Sequence, residues 1–192
     1  MSELLPLLKA LSARRAGLYR DMRAAGSGAY NFVPAPGEWS EAQVAEHLYK
    51  VERRVLVALR ENLKTMQPGK GPGFFSGVRH AVFCTVMRRP VKVKAPVKAI
   101  LPAENPDIDK LEREWDGLSA EWGEFIENFD PKLKKSAAFK HPIFGWFNIT
   151  QTLQFMVEHF DHHRHQLKRI REAHGYPLPA SAVPVSDAAK TP

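Results

Sequence analysis

Cysteine is almost missing from this chain: Cys84 is the only one. A lone thiol excludes an intramolecular disulfide and any metal site built on cysteine pairs, and it fits a reducing, cytoplasmic setting. Long apolar runs are missing too. No segment approaches the roughly 20 consecutive apolar residues that a membrane-spanning helix needs, so a soluble protein without a membrane partner is expected. The opening "LLPLLKAL" is short, has no basic residue before it and no small-residue cleavage pattern after it. It reads as the core face of a first helix and not as a signal peptide. Strict alternation of apolar and polar residues is also absent, which argues against a sheet. Finally, acidic residues are missing from 62–103, a stretch that carries eight Lys or Arg, whereas 107–130 carries nine acids against two bases.

That division of charge would suit a nucleic-acid surface. No basic motif with interleaved aromatics accompanies it, so two solvated faces that neutralise each other where they pack is the simpler reading. The 192 residues, 44% hydrophobic and 26% charged, are enough for one domain with a real core and too few for two. A single domain over 1–176 is expected, followed by a flexible tail, 177–192, rich in Pro, Ala and Ser.

What is present is helical in period. Residues 2–25 form a first helix, ended by "GSG". Ser40 with Gln43 makes a capping box and opens a second helix that runs to about Met66, where "QPGKGPG" stops it. A shorter helical piece spans Phe74 to Met87, and a long basic, Pro-rich connection follows, with its cations between Arg88 and Lys98. Asn105 and Pro106 suit the cap and first turn of the next helix. That helix carries Leu111, Trp115, Leu118, Trp122 and Phe125 at core spacing. "KHPIFGWF" reads as a turn-bearing linker. Asn148 with Gln151 is a second capping box and opens the last helix, which continues to His174 before Gly175. The fold expected is all-α: a four-helix bundle with an extra short helix and a long loop between the second and fourth long segments.

The last helix holds "EHFDHHRHQLKRI", with four histidines in seven positions. Side chains rotate by about 100° per residue along a helix, so the cluster can be sorted. Relative to Ile149, the residues Leu153, Met156, Phe160 and Leu167 share one face. His163 falls within it and His159 on its edge, while His162 and His165 point away. The inward pair is spaced i, i+4, so both rings can converge on one ion. On the second helix, His47 lies at the border of the stripe Val44, Leu48, Val51 and Val55. The pair is no zincin signature, because Phe160 stands where H-E-x-x-H needs its glutamate.

"GEWSEAQVAEHLYKVE" and, about a hundred residues on, "HPIFGWFNITQTLQFMVEHFDHHRHQL" together resemble the DinB-like superfamily. The resemblance touches both ends of 38–170. It implies a four-helix bundle with a divalent metal, Zn or Ni, held by three histidines, one on the second helix and two in H-x-x-x-H-R-x-Q on the last. Carried over, the ligands are His47, His159 and His163. Arg164 and Gln166 match the trailing motif, with His165 where many members have Gly, and His141, Pro142 and Gly145 match an HP-x-x-G that recurs in relatives. The resemblance also implies a homodimer and a small-molecule substrate, since the family includes thiol S-transferases and metal-dependent hydrolases.

Three imidazoles leave a metal position open, which is the catalytic arrangement. It can take water as a nucleophile or a low-molecular-weight thiol as thiolate. The basic stretch from Arg88 to Lys98 would favour the anionic thiol. No catalytic acid or base is assigned, since Asp161 and Glu46 point off the buried faces. Cys84 reads as a core residue with no histidine beside it. Thiol transfer leads; hydrolysis, a non-catalytic metal-binding or ligand-sensing bundle, and nucleic-acid association follow.

Overall fold

The computed structural model describes residues 3–89 and 98–177. The long helices are α1 (Leu4–Ala25), α3 (Glu41–Leu63), α5 (Ile108–Glu127) and α6 (Ile149–Arg171), and the shorter ones are α2 (Ser27–Tyr30) and α4 (Ser76–Met87). The four long helices form the bundle. Helix α1 packs on α5 and α6, α3 packs on the same two, and α4 lies along α6. Single turns of 3-10 helix occur at Lys98–Ile100 and Pro131–Leu133. Residues 90–97 of the basic connection and 178–192 of the tail lie outside the described residues.

Both capping boxes form. Ser40 Oγ accepts from Gln43 N at 3.2 Å while Gln43 Oε1 accepts from Ser40 N at 3.0 Å. Asn148 and Gln151 do the same at 2.9 and 3.0 Å. Each box satisfies backbone donors that a helix start leaves unpaired, and so fixes where α3 and α6 begin. The core follows the expected stripe: Trp115 and Trp122 are fully buried, with Leu111, Leu118 and Phe125 beside them.

Four expectations need correction. Helix α5 is capped by Asp107, whose carboxylate accepts from Lys110 N at 3.0 Å; Asn105 and Pro106 lie outside it, because the Asp107 carboxylate is the group in reach of that orphan N–H. The linker holds a small antiparallel hairpin, β1 (Phe139–His141) and β2 (Gly145–Phe147). Strands of three residues are too short to show alternation, which is why the pattern missed them. Gly145 takes φ 73° at the turn, a conformation that favours glycine. "GSG" ends α1 but also begins the extra turn α2. The acids of α5 are neutralised by arginines of α1 and α3: Arg23 reaches Asp109 at 2.5 Å and Glu112 at 2.6 Å, and Arg60 pairs with Glu121. Among the described residues of the 62–103 basic region, Arg88 meets Glu158 of α6 instead, at 2.5 Å.

Candidate metal centre

His47 sits two turns into α3, and His159 and His163 lie on consecutive turns of α6, so the two capped helices bring three imidazoles together. Their ring centroids are 4.7 to 5.3 Å apart. One nitrogen from each lies within 4.8 Å of the others, a grouping that can hold a metal ion. His47 and His163 are buried, at 2% and 8% exposure.

The other nitrogens fix the tautomers. His47 Nδ1 donates to the carbonyl of Ile100 at 2.8 Å, and His163 Nδ1 donates to Gln166 Oε1 at 2.8 Å. A neutral ring whose Nδ1 carries the proton leaves Nε2 with its lone pair. Both lone pairs are thereby free for a cation, held by the outer bonds that metal-ligating histidines characteristically make. His159 Nε2 stands 3.2 Å from His163 Nε2. Two nitrogens on a tetrahedral ion at bond lengths near 2.05 Å would be about 3.3 Å apart.

Burial keeps the cluster neutral. Desolvation, reinforced by the neighbouring imidazoles, drives His159 well below its ordinary value, and desolvation takes His163 down to about 3. His47 is lowered mainly by burial, against the opposing effect of its bond to Ile100. Neutral imidazole is the form that ligates a metal.

Residues 101–103 are clasped to α3 by one face of that helix. Gln43 Nε2 donates to the Ala103 carbonyl at 3.0 Å, Glu46 Oε2 accepts from Ala103 N at 2.5 Å, and Lys50 Nζ donates to the Leu101 carbonyl at 2.8 Å. His47 lies on the same face, at i+4 from Gln43 and i−3 from Lys50. Glu46 therefore performs a structural task, while Asp161 is held by Arg14 at 2.6 and 2.9 Å.

The triad forms the floor of a cavity of about 630 Å³, within the range of small-molecule sites. Its walls are largely aromatic and aliphatic, with Trp39 against His47 at 5.0 Å and Phe155 against His159 at 5.7 Å. Arg54, Arg169 and Glu38 are the charged side chains of its lining among the described residues. A second cavity, about 10 Å³, lies behind the triad between His159 and Glu52, room for a single water. Glu52 accepts from Trp115 Nε1 at 2.7 Å and is raised to about 7, chiefly by burial.

The structure thus brings together the three histidines singled out from sequence. His165 is exposed, as expected. His162 is not turned fully away: it is half-buried, lines the large cavity and donates from Nδ1 to the Met87 carbonyl at 3.0 Å. Helix α4 covers the edge of α6 and encloses it, which the wheel of α6 alone could not show. Cys84 also needs correcting, since it is half-buried with His80, one turn earlier, 3.8 Å from its sulfur. Burial raises that thiol above its ordinary value. Sequence reasoning passed over Glu52, and it noticed His141 only as part of a motif, yet His141 lines the cavity.

The sequence pattern of the DinB superfamily matches residues 9–167. No curated protein matches the chain. Among solved structures, it is similar to YfiT from Bacillus subtilis, described as a probable metal-dependent hydrolase with an unusual four-helix bundle topology. That likeness has 13% identity and a TM-score of 0.59, and covers 90% of this chain and 88% of the other. At such identity it is a likeness of fold.

Proposed function

This chain belongs to the DinB superfamily, and from that premise we propose that it is a metal-dependent enzyme acting on small molecules, with His47, His159 and His163 as the metal ligands. The observation that carries the reading is the convergence of three imidazoles, His47 and His163 buried and His159 half-buried, at the floor of a cavity of about 630 Å³. An all-nitrogen set of this kind suits Zn²⁺ or Ni²⁺. Such an ion supplies an open position at which a thiol ionises or a water becomes nucleophilic near neutral pH.

The chain's own residues do the rest. His47 and His163 are aimed by Ile100 and Gln166. The aromatic walls exclude water and hold an apolar electrophile. Arg54 and Arg169 offer charge to a carboxylate-bearing thiol co-substrate, which favours S-transfer. The hydrolase description of YfiT supports the second reading, in which water takes the thiol's place. A homodimer, expected from the family resemblance, belongs to the same proposal, and sedimentation would show it.

The test begins with metal content. Wild-type protein is expected to retain about one equivalent of Zn or Ni through dialysis, whereas His47→Ala and His163→Ala lose it while keeping helical circular dichroism. Retention by both variants, or its absence from all three proteins after metal loading, overturns the assignment. Turnover of monobromobimane with a panel of thiols, set against hydrolysis of an aryl ester, then separates the two chemistries.

A further inference from the structure

His141 ends β1 and is followed by the turn Pro142–Ile143–Phe144 into Gly145. Its Nδ1 faces two backbone amides, those of Ile143 at 3.1 Å and Phe144 at 3.2 Å. A backbone N–H can only donate, so Nδ1 must be the nitrogen with the lone pair. The proton of the neutral ring then sits on Nε2. A cationic ring would turn an Nδ1 proton against both amides, and burial independently pushes His141 down to about 4. The ring is therefore locked as a neutral Nε2–H tautomer.

That Nε2–H has no hydrogen-bond partner among the described residues, and it is not among the side-chain atoms sealed from solvent without one. The residue lines the large cavity, and its ring is walled by Phe83 at 5.5 Å and Phe155 at 5.0 Å. Phe155 also touches His159 one turn further along α6. The free donor therefore belongs to the chamber that the triad floors, set among rings that offer it no acceptor. Holding the turn explains Nδ1 alone; an asparagine could do that through its carbonyl, as such side chains do at many turns. The second nitrogen is surplus to the turn.

We infer that the Nε2–H of His141 is a fixed hydrogen-bond donor for the acceptor oxygen, carbonyl or carboxylate, of an aromatic or apolar ligand bound in the cavity. Such a donor cannot act as a base, because its lone-pair nitrogen is occupied by the turn. It can orient a substrate oxygen and stabilise charge developing there, as preorganised donors do in water-poor sites. The ligand assignment rests on the cavity being the substrate site proposed above, whereas the tautomer does not.

The probe is benzoate, with the full chain labelled with ¹⁵N-histidine and studied both metal-free and zinc-loaded. Long-range ¹H–¹⁵N correlation is expected to show His141 protonated at Nε2 and bare at Nδ1, and the Nε2 signal is expected to move on saturation with benzoate in both forms. His141→Asn keeps an acceptor for the two amides and loses the distal donor, so benzoate should weaken by about tenfold or more. His141→Gln places an amide N–H near the Nε2 position and should recover part of the loss. An Nδ1–H tautomer, an Nε2 signal that ignores benzoate, or no benzoate binding by the wild type overturns the inference. Should His141→Asn not fold, the two wild-type spectra still decide. A protein that binds no zinc but whose His141 still answers benzoate would sink the metal proposal and leave this one standing.

Discussion

Glu41 and Glu52 are both buried carboxylates on α3, and their surroundings set them apart. Glu41 meets Arg171 at 2.7 and 3.1 Å and the Tyr176 hydroxyl at 2.7 Å. Glu52 is met by Trp115 Nε1 and is raised from 4.5 to about 7 by burial. The folded chain thus holds a proton on Glu52 that the unfolded chain releases above about pH 4.5. Stability on this account falls as pH rises from 4.5 to 7 and stays lowered beyond, by up to about 3 kcal/mol. Glu52→Gln is expected to gain about 1–3 kcal/mol in urea unfolding of the metal-free protein at pH 8, and almost nothing at pH 5. The histidines act in the opposite sense. His163, lowered to about 3, refuses a proton that the unfolded chain accepts below about 6.5. Metal-free protein should therefore lose stability as pH falls below 6.5, and His163→Gln should flatten that limb of the profile. Beside the triad, Gln166→Leu removes the acceptor that aims His163 and is expected to weaken metal binding by about 10- to 100-fold in chelator competition.

At the scale of the element, the site depends on where two helices start. Asn148→Ala opens the box at the head of α6 and is expected to cost about 1 kcal/mol in chemical denaturation, with metal affinity nearly unchanged because His159 lies three turns from the cap. This level was the most legible in sequence. Capping boxes at Ser40 and Asn148 and the 3.6 period place the starts of α3 and α6, turn His163 inward and set His159 and His47 at the edges of their apolar stripes. What escaped was whatever depends on residues far apart in the chain. The hairpin 139–147 is too short to declare itself, the place of His162 depends on α4, and the exposure of His141 to the cavity depends on how the hairpin lies against α4 and α6. Glu52 was invisible for the same reason, since its only cue was an acid on an apolar stripe.

At the scale of the molecule, the three proposed ligands join α3 to α6, so an ion at the triad would cross-brace two helices of the bundle. Binding to the folded chain alone stabilises it by mass action: about 2.7 kcal/mol when free metal stands at a hundred times its dissociation constant. Thermal unfolding should accordingly shift upward with zinc or nickel and return with a chelator, and His47→Ala should show no such shift. A melting temperature indifferent to both ions would argue against a site that spans the helices.

The clasp between α3 and residues 100–103 gives His47 two duties at once. One nitrogen grips the Ile100 carbonyl while the other faces the triad, so the imidazole behaves as a rocker pivoted on the backbone. A ring turn that improves its aim at an ion must pull on Ile100 or let it go, and Leu101 and Ala103 are tied to the same helix face. Occupancy of the centre would then be felt as tension in the segment that emerges from the chain's most basic stretch. Amide exchange at Leu101 and Ala103 should slow when zinc is added and quicken in His47→Ala, turning a local coordination event into a signal carried along the backbone.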